Sequence, residues 1–392
     1  MFPLSLYLHW PFCVSKCPYC DFNSHVRDAI DLRAFRDAYL LELSHYAPLM
    51  KKRGVHTIFF GGGTPSLMPP ELTEEIIRCV SPYLSSDAEV TMEANPSSTE
   101  RAKLRAFREA GVNRLSLGAQ SFNDAELRFL GRAHDAKAGR LAVDAAREEF
   151  GERFSFDLIY CLPGQSREEW ARALEAALRF APSHLSLYQL VIETGTPFYY
   201  AVKRGDFSPH DDDAQADFYD DTGERMRAAG FVDYETSNYA RPGYESRHNL
   251  QYWRYRDYIG VGPGAHGRFV GDDGRRIATV TVHHPEKWAE VAKKNGVGTQ
   301  RVRYVSPEEA LSEALLTGMR LKEGASLAHV SSVAGVDVDA YWTEEFLSPF
   351  VRADLLERGQ GRLRCGRAGR LAHTGVVAAL CDAVAPFYRR TA

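Results

Sequence analysis

The chain has 392 residues, with 48 Lys and Arg, 52 Asp and Glu, and a formal net charge of −4. This balance of charge argues against a surface that neutralises a nucleic-acid backbone, so we expect no nucleic-acid partner. The length exceeds the roughly 250–300 residues at which a single hydrophobic core usually stops growing, which favours one large domain and one smaller one.

The sequence gives no sign of a membrane span or a disulfide framework. No run approaches the ~18 uncharged apolar residues that a transmembrane helix needs, and the opening MFPLSLYL lacks the basic start of a signal peptide. We therefore expect a cytoplasmic protein, with peripheral membrane contact left open. Its 7 cysteines are odd in number, and three of them cluster near one end, which favours reduced thiols that bind a ligand.

Strand and helix patterns alternate along the first half of the chain. A helical face is predicted over 72–83, and another helix is predicted to begin at Ser166, with Glu169 completing a capping box. Apolar, β-prone runs predict six strands, at residues 4–9, 56–60, 89–93, 114–118, 154–160 and 184–190. This alternation predicts an α/β fold with a parallel sheet, either doubly wound or curled into a full or partial barrel.

Polar or glycine-rich residues follow the predicted strands. They are the cysteine loop after the first strand, GGGTP at 61–65, EANP at 93–96, AQSF at 119–122, Asp157 and Gln189. Because parallel strands all point the same way, their carboxyl ends meet at one rim, which is where barrel enzymes hold their sites. The sequence therefore predicts one functional site at that rim.

The stretch WPFCVSKCPYCDFNSH contains Cys13, Cys17 and Cys20. A zinc site needs four ligands, and nearby histidines lack the usual spacing, so zinc or a chance cluster is the weaker interpretation. Three thiolates at x3 and x2 spacing hold three corners of a [4Fe–4S] cluster and leave one iron without a protein ligand. An iron of that kind can bind a substrate or a second cofactor.

With these motifs the chain resembles the radical S-adenosylmethionine superfamily, within the group that includes oxygen-independent coproporphyrinogen III oxidase. The resemblance implies a partial (β/α)6 barrel, a [4Fe–4S] cluster on Cys13, Cys17 and Cys20, and S-adenosylmethionine bound to the open iron. It also implies roles for a set of rim residues: Gly62, Gly63 and Thr64 at the methionine amino group, Glu93, Gln120, Arg132 and Asp157 at the methionine portion or ribose, and Tyr7 and Tyr19 flanking the cluster loop.

Two departures separate the chain from the oxidases of this group. On the resemblance, those oxidases have the cysteine pattern C-x3-C-x2-C-x-C and an N-terminal extension. This chain has Phe22 in the place of the fourth cysteine and begins twelve residues before Cys13. The H-N-x-x-Y-W segment, with His248, Tyr252 and Trp253, resembles the signature of the HemW family of radical-SAM heme chaperones. That resemblance implies His248 as an axial heme ligand; the two aromatic side chains contact heme or pack in a core.

We therefore expect a heme chaperone that binds heme, a [4Fe–4S] cluster and S-adenosylmethionine, and delivers heme to acceptor hemoproteins. The alternative is a radical-SAM enzyme, either an oxygen-independent coproporphyrinogen III oxidase or a radical methyltransferase, so enzymatic activity stays open. We expect a radical-SAM domain over 1–300, with the heme-motif segment near 248–267. A small helical, winged-helix-like domain is expected over 301–392.

Overall fold

The computed structural model of the chain describes residues 3–391. Its strands are β1 (Leu4–Trp10), β2 (Phe12–Cys13), β3 (His25–Val26), β4 (Val55–Gly62), β5 (Leu84–Ala94), β6 (Arg114–Gln120), β7 (Phe154–Tyr160), β8 (His184–Gln189), β9 (Val232–Asp233), β10 (Asn238–Ala240), β11 (Tyr258–Val261), β12 (His266–Val270), β13 (Arg276–Thr281), β14 (Thr299–Tyr304), β15 (Ala325–Ser326), β16 (Leu356–Gly359) and β17 (Arg362–Cys365).

The helices cover the sheet and form most of the C-terminal region. They are α1 (Leu32–Arg53), α2 (Pro70–Val80), α3 (Arg101–Glu109), α4 (Asp124–Phe129), α5 (Ala136–Phe150), α6 (Arg167–Leu178), α7 (Pro197–Arg204), α8 (Asp212–Ala228), α9 (Arg247–Trp253), α10 (Pro285–Asn295), α11 (Pro307–Gly318), α12 (Leu327–Ala334), α13 (Glu344–Arg352), α14 (Arg367–Leu371) and α15 (His373–Thr391). Short 3-10 helices lie at Pro65–Leu67, Ser81–Tyr83, Pro96–Ser98 and Val338–Ala340.

One large sheet organises the N-terminal region. Strands β1, β4, β5, β6, β7 and β8 are parallel neighbours in that order, which confirms the predicted α/β fold class. On one side β11 pairs parallel with β1, and β12, β13 and β14 continue antiparallel; on the other side β10 and β9 are antiparallel. Among the described strands, β14 and β9 end the sheet, so the barrel is partial and not closed by hydrogen bonds.

The composition of the strands explains why helices cover the sheet. In β1 and β7 six of the seven residues are buried, as a parallel strand packed on both faces requires. Helix α2 covers the sheet with Leu72, Ile76 and Val80 from one apolar face. Helix α6 begins after Ser166, whose side chain accepts from the Glu169 N–H in the predicted capping box.

The carboxyl ends of the parallel strands meet at one rim of the sheet, as the sequence predicts. Strand β1 leads through β2 into the cysteine loop, β4 ends at Gly62, β5 ends just after Glu93, and β6 ends at Gln120. These residues are far apart in the chain but adjacent at the rim, because neighbouring strands are in register there.

The C-terminal region has a hydrophobic core of its own, which includes Leu315, Trp342 and Leu380. Strands β15, β17 and β16 form a small antiparallel sheet beside its helices. The large sheet runs to Tyr304 and α11 begins at Pro307, a few residues after the predicted boundary at 300; the division itself stays a prediction. Within residues 3–391 no helix is both long and apolar enough to cross a membrane.

Candidate functional site

The clustered cysteines lie on the loop after β1, and all three line one cavity of about 160 Å³, here called the first cavity. The Cys20 N–H donates to the Cys17 carbonyl at 3.1 Å and closes the turn between them. Thr64 Oγ1 donates to Cys13 Sγ at 3.3 Å, and Arg132 Nη1 donates to Cys17 Sγ at 3.4 Å. Both donors favour thiolate over thiol at the sulfurs they contact.

The surroundings of the loop favour the thiol form at two of its cysteines. Burial raises the pKa of Cys13 and Cys20, and the Thr64 hydrogen bond only partly opposes this at Cys13. Metals bind the thiolate form, so loading the loop with metal releases protons. Among the described residues, no three His, Cys, Asp or Glu side chains are placed to hold a single metal ion.

The glycine-rich turn at the end of β4 is hydrogen-bonded to the chain that leads into the cysteine loop. Gly63 N–H donates to the Trp10 carbonyl at 2.7 Å, and Thr64 N–H donates to the Phe12 carbonyl at 2.9 Å. A Cβ on Gly63 would lie 2.8 Å from the Phe12 carbonyl oxygen, closer than real Cβ atoms come. Gly62 has a φ of 116°, which residues with side chains rarely adopt. Glycine is therefore required at both positions.

We expect Gly63→Ala to lower the free energy of unfolding by about 1–3 kcal/mol, because the added methyl group is forced against backbone that cannot rotate away. Urea unfolding of the iron-free protein measures the loss. Gly375→Ala is the matched control, since Gly375 is in α15 with no atom within 4 Å of the added Cβ. This variant should not lower the free energy of unfolding. Equal stability of Gly63→Ala and wild type would contradict the steric account.

Two carboxyl groups face the first cavity from β5 and β7. Burial, together with the charge of Asp157, raises the pKa of Glu93 to about 8. Burial raises the pKa of Asp157 to about 6, although hydrogen bonds from Ser186 and Ser116 lower it in part. The Gly62 N–H donates to Glu93 Oε2 at 3.1 Å. These surroundings favour the protonated form of Glu93, and a bound cationic group would favour its ionised form.

This carboxyl should give stability a distinct pH dependence. The folded pKa of Glu93, about 8, lies above its ordinary value of 4.5, so its stabilising contribution is present below pH 4.5 and is lost as the pH rises through 8. We expect Glu93→Gln to raise the free energy of unfolding at pH 9 by about 1–3 kcal/mol and to have little effect at pH 5. Urea unfolding of iron-free protein at both pH values measures the difference. Glu290→Gln is the control, because Glu290 is exposed. An equal gain of stability at both pH values in Glu93→Gln would contradict the titration of Glu93.

Two polar side chains in the first cavity are buried with an atom left unpartnered. Gln120 Oε1 and Arg132 Nε have no hydrogen-bond partner among the described residues. Gln120 also has a φ of 65°, a left-handed conformation that is strained for a residue with a side chain and is typical of functional sites. Because an unpaired buried polar atom costs about 1–3 kcal/mol, the cavity is built for a polar ligand. Tyr19 borders the same space, and burial raises its pKa.

Tyr7 lies on the adjoining side of the rim. Its O–H donates to His9 Nδ1 at 2.9 Å, since His9 Nε2–H donates to the Asn23 carbonyl at 2.9 Å and fixes the tautomer. Burial lowers the pKa of His9 to about 4, so the ring is neutral. The pair ties β1 to the loop that follows the cysteines.

The H-N-x-x-Y-W segment forms α9, and its three marker side chains point to different places. His248 is 0% exposed, with its ring stacked on Phe59 at 4.9 Å. Tyr252 lines a second cavity, and Trp253 packs under Arg320 of the C-terminal region. Trp253 is thus a packing residue between regions, whereas Tyr252 is open to a ligand.

Both ring nitrogens of His248 are occupied. Thr57 Oγ1 donates to Ser5 and so accepts from Nδ1–H of His248 at 2.7 Å. Nε2 then accepts from the Tyr252 O–H at 3.0 Å. Burial lowers the pKa of His248 to about 3, so the ring is neutral and its one lone pair is in use. Heme ligation by His248 stays a prediction, and it requires that bond to Tyr252 to break.

The second cavity, of about 640 Å³, shares Lys16, Phe22, Gly62 and Glu93 with the first. The first cavity gathers eleven predicted site residues: Cys13, Cys17, Tyr19, Cys20, Gly62, Gly63, Thr64, Glu93, Gln120, Arg132 and Asp157. Tyr7 lines the second, and His248 lines neither. Their roles stay predictions. Sequence reasoning gave no independent role to His266 and His283, which line the second cavity. Their only signal was position, since His266 begins β12 and His283 lies just after β13.

Comparison with known families identifies two matching family models. The model of the radical SAM superfamily matches residues 7–177, and that of the HemN C-terminal domain matches residues 305–372. Coproporphyrinogen III oxidase (HemN) from Escherichia coli has a similar solved structure, with a TM-score of 0.78 over 97% of this chain and 90% of that one. At 23% identity this likeness shows a common fold.

Curated relatives are similar over most of their length. The mitochondrial radical S-adenosyl methionine domain-containing protein 1 of Bos taurus is 41% identical over 330 residues, 83% of this chain and 75% of that protein. The heme chaperone HemW of Escherichia coli (strain K12) is 39% identical over 86% of this chain and 88% of that protein. HemW of Mycobacterium tuberculosis (strain H37Rv) is 36% identical over 92% of both.

Proposed function

The chain belongs to the radical SAM superfamily, in the family that contains the heme chaperone HemW, and from that premise we propose that it is a heme chaperone. In this proposal the protein binds heme and hands it to acceptor hemoproteins. The observation that carries it is the 39% identity to the Escherichia coli chaperone over 88% of that protein's length. The likeness to the oxidase of the same organism is 23% in sequence.

The family implies a [4Fe–4S] cluster and S-adenosylmethionine, and the first cavity fits both. Cys13, Cys17 and Cys20 would hold the cluster, and the unpartnered Gln120 Oε1 and Arg132 Nε supply an acceptor and a donor for a polar ligand. When bound, the two cofactors together supply one-electron chemistry.

The remaining rim residues bind and orient in this proposal. Glu93 and Asp157 would meet the positive charge of S-adenosylmethionine, and the turn over 62–64 lets backbone approach it closely. Tyr19 and Tyr7 border the cluster loop from two sides. The Arg132 guanidinium donates both to Cys17 Sγ and to the Gly118 carbonyl, at 3.4 and 2.9 Å. It therefore ties the cysteine loop to β6 and holds the two parts of the site together.

A radical-SAM oxidase or methyltransferase is the second candidate, because the fold of the oxidase extends over 97% of this chain. The residue two positions after Cys20 distinguishes the heme chaperone from the radical-SAM enzyme. It holds Phe22, which is 59% exposed at the wall shared by the two cavities. An apolar side chain there favours contact with a flat apolar ligand over ligation of iron.

We place the protein in the cytoplasm in this proposal, although the relative from Bos taurus is named as mitochondrial. The acceptors would be hemoproteins of the same compartment. Delivery requires that heme be held reversibly, so the proposed cargo site should be open to solvent and should lack a covalent link.

Anaerobic incubation of the reconstituted protein with coproporphyrinogen III, S-adenosylmethionine and a reductant tests the proposed function against the oxidase. We expect no protoporphyrinogen, while the same preparation binds heme in a parallel titration. A purified oxygen-independent oxidase is the positive control. Substantial turnover of coproporphyrinogen III would overturn the chaperone proposal.

A further inference from the structure

The second cavity has the size and lining of a small-molecule site. Its volume of about 640 Å³ lies within the roughly 300–1,000 Å³ that such pockets occupy. The aromatic rings of Tyr7, Tyr252, Tyr258 and Phe22 line it, and flat apolar ligands pack well against rings of this kind. Because it shares a wall with the first cavity, a ligand there would lie beside the bound cofactors.

An unengaged imidazole faces this cavity. His266 is the first residue of β12, its side chain is exposed, and it lines the second cavity. Among the described residues, no hydrogen-bond partner contacts its ring. Burial of part of the ring lowers its pKa, and the positive charge of Arg268 lowers it further. A neutral imidazole with a free lone pair is a common iron ligand in heme proteins.

The contrast with His248 is geometric. His248 is buried between α9 and β4, its Nε2 accepts from Tyr252, and it lines neither cavity. The ring of Tyr252, held by that hydrogen bond, meets the Tyr258 ring edge-on at 4.6 Å. His248 therefore fixes the position of a tyrosine that forms part of the cavity wall.

Two further groups match the chemistry of heme. Lys16 is exposed and lines both cavities, and among the described residues its ammonium donates to the Phe22 carbonyl at 3.2 Å. Its ammonium is free to pair with a propionate carboxylate. His283 lines the same cavity with an exposed imidazole, and it is available as a second nitrogen donor.

We propose that heme binds in the second cavity with His266 as an axial iron ligand, and that His248 is a positioning residue that holds Tyr252 against the porphyrin. This inference rests on the proposed function and names the site of the cargo. Heme in this place would contact Phe22 and Lys16 of the cysteine loop. Binding of the cluster and S-adenosylmethionine at the cysteine loop therefore changes the surroundings of the heme.

The test is ferric heme binding by purified full-length variants, followed by the Soret band and by electron paramagnetic resonance. We expect His266→Ala to weaken heme binding by about tenfold or more and to lose the spectral signature of an axial imidazole. Imidazole added to solution should restore that signature. His284→Ala is the matched control, because His284 is exposed and lines neither cavity; its heme spectrum should equal that of wild type.

His248→Gln and Tyr252→Phe separate ligation from positioning. We expect both to keep the imidazole signature and to weaken heme binding modestly. If His248 were the ligand, Tyr252→Phe would free its lone pair and strengthen heme binding, and His248→Gln would lose the signature. Either result, or an unchanged spectrum in His266→Ala, would overturn the assignment of His266 while the chaperone proposal stands. Failure of the wild type to bind heme would overturn both.

Discussion

Replacing Cys17 with Ala is expected to abolish the iron–sulfur cluster of the anaerobically reconstituted protein. Three thiolates are the protein ligands in this account, and loss of one leaves two irons of the cube without a protein ligand. Cys17 is also the sulfur that accepts from Arg132, so its removal breaks the link between the loop and β6. Iron analysis and the broad visible absorption of the cluster measure the loss.

Cys79→Ala provides the control for this experiment, because Cys79 is a half-buried, disulfide-free cysteine on α2, away from the loop. It should retain about four irons per chain. Retention of the same iron content and absorption by Cys17→Ala would show that the ligands of the cluster are misassigned.

The second large effect is expected from Glu42, a buried carboxyl under the loop that leads to His266. Its oxygens accept from three donors: Gly262 N–H at 2.9 Å, Gly298 N–H at 2.9 Å and Trp288 Nε1–H at 3.1 Å. Burial raises its pKa to about 7. We expect Glu42→Ala to lower the free energy of unfolding by about 3–5 kcal/mol, since three buried donors lose their acceptor.

Glu42→Gln retains one acceptor oxygen and should lose less than half as much in the same urea titration. Ser44→Ala, two residues away, is a further control, because Ser44 is exposed and its side chain bonds only within α1. Equal losses in Glu42→Ala and Glu42→Gln would contradict the role of the acceptor oxygens.

The sequence predicted the parallel part of the sheet closely, and the physical reason is local. The stretch 154–160 is rich in apolar, β-prone residues, as suits a strand covered on both faces, and it is β7 in the structure. The cap at Ser166 was predicted because a capping box depends on residues three apart. The convergence of the strand ends followed from parallel topology alone.

Contacts between distant segments were not predictable from local pattern. Nothing in the H-N-x-x-Y-W segment itself indicates that Thr57, 191 residues away, accepts from His248. The pattern of residues around 339–358 also predicts one helix, whereas α13 covers only Glu344–Arg352, and Asp354 has a φ of 54° before β16 begins. Hairpin pairing of β16 with β17 takes residues 356–359 into a strand, against their local propensity.

Cys161 adopts a backbone conformation that is unusual for a residue with a side chain. Its φ is 60°. The backbone there keeps the left-handed conformation that glycine adopts freely, at the cost of strain in this chain. The surrounding fold therefore sets the backbone conformation at this position, against the intrinsic preference of a cysteine.

Transfer of heme tests the central claim most directly. Heme-loaded protein, freed of excess heme by gel filtration, is mixed anaerobically with a heme-free b-type cytochrome, and the Soret band of the cytochrome is followed with and without cluster and S-adenosylmethionine. The account predicts that the protein retains one heme per chain through the column and then passes it to the cytochrome. Absence of retained heme, or retained heme that never reaches the acceptor under either condition, would contradict it.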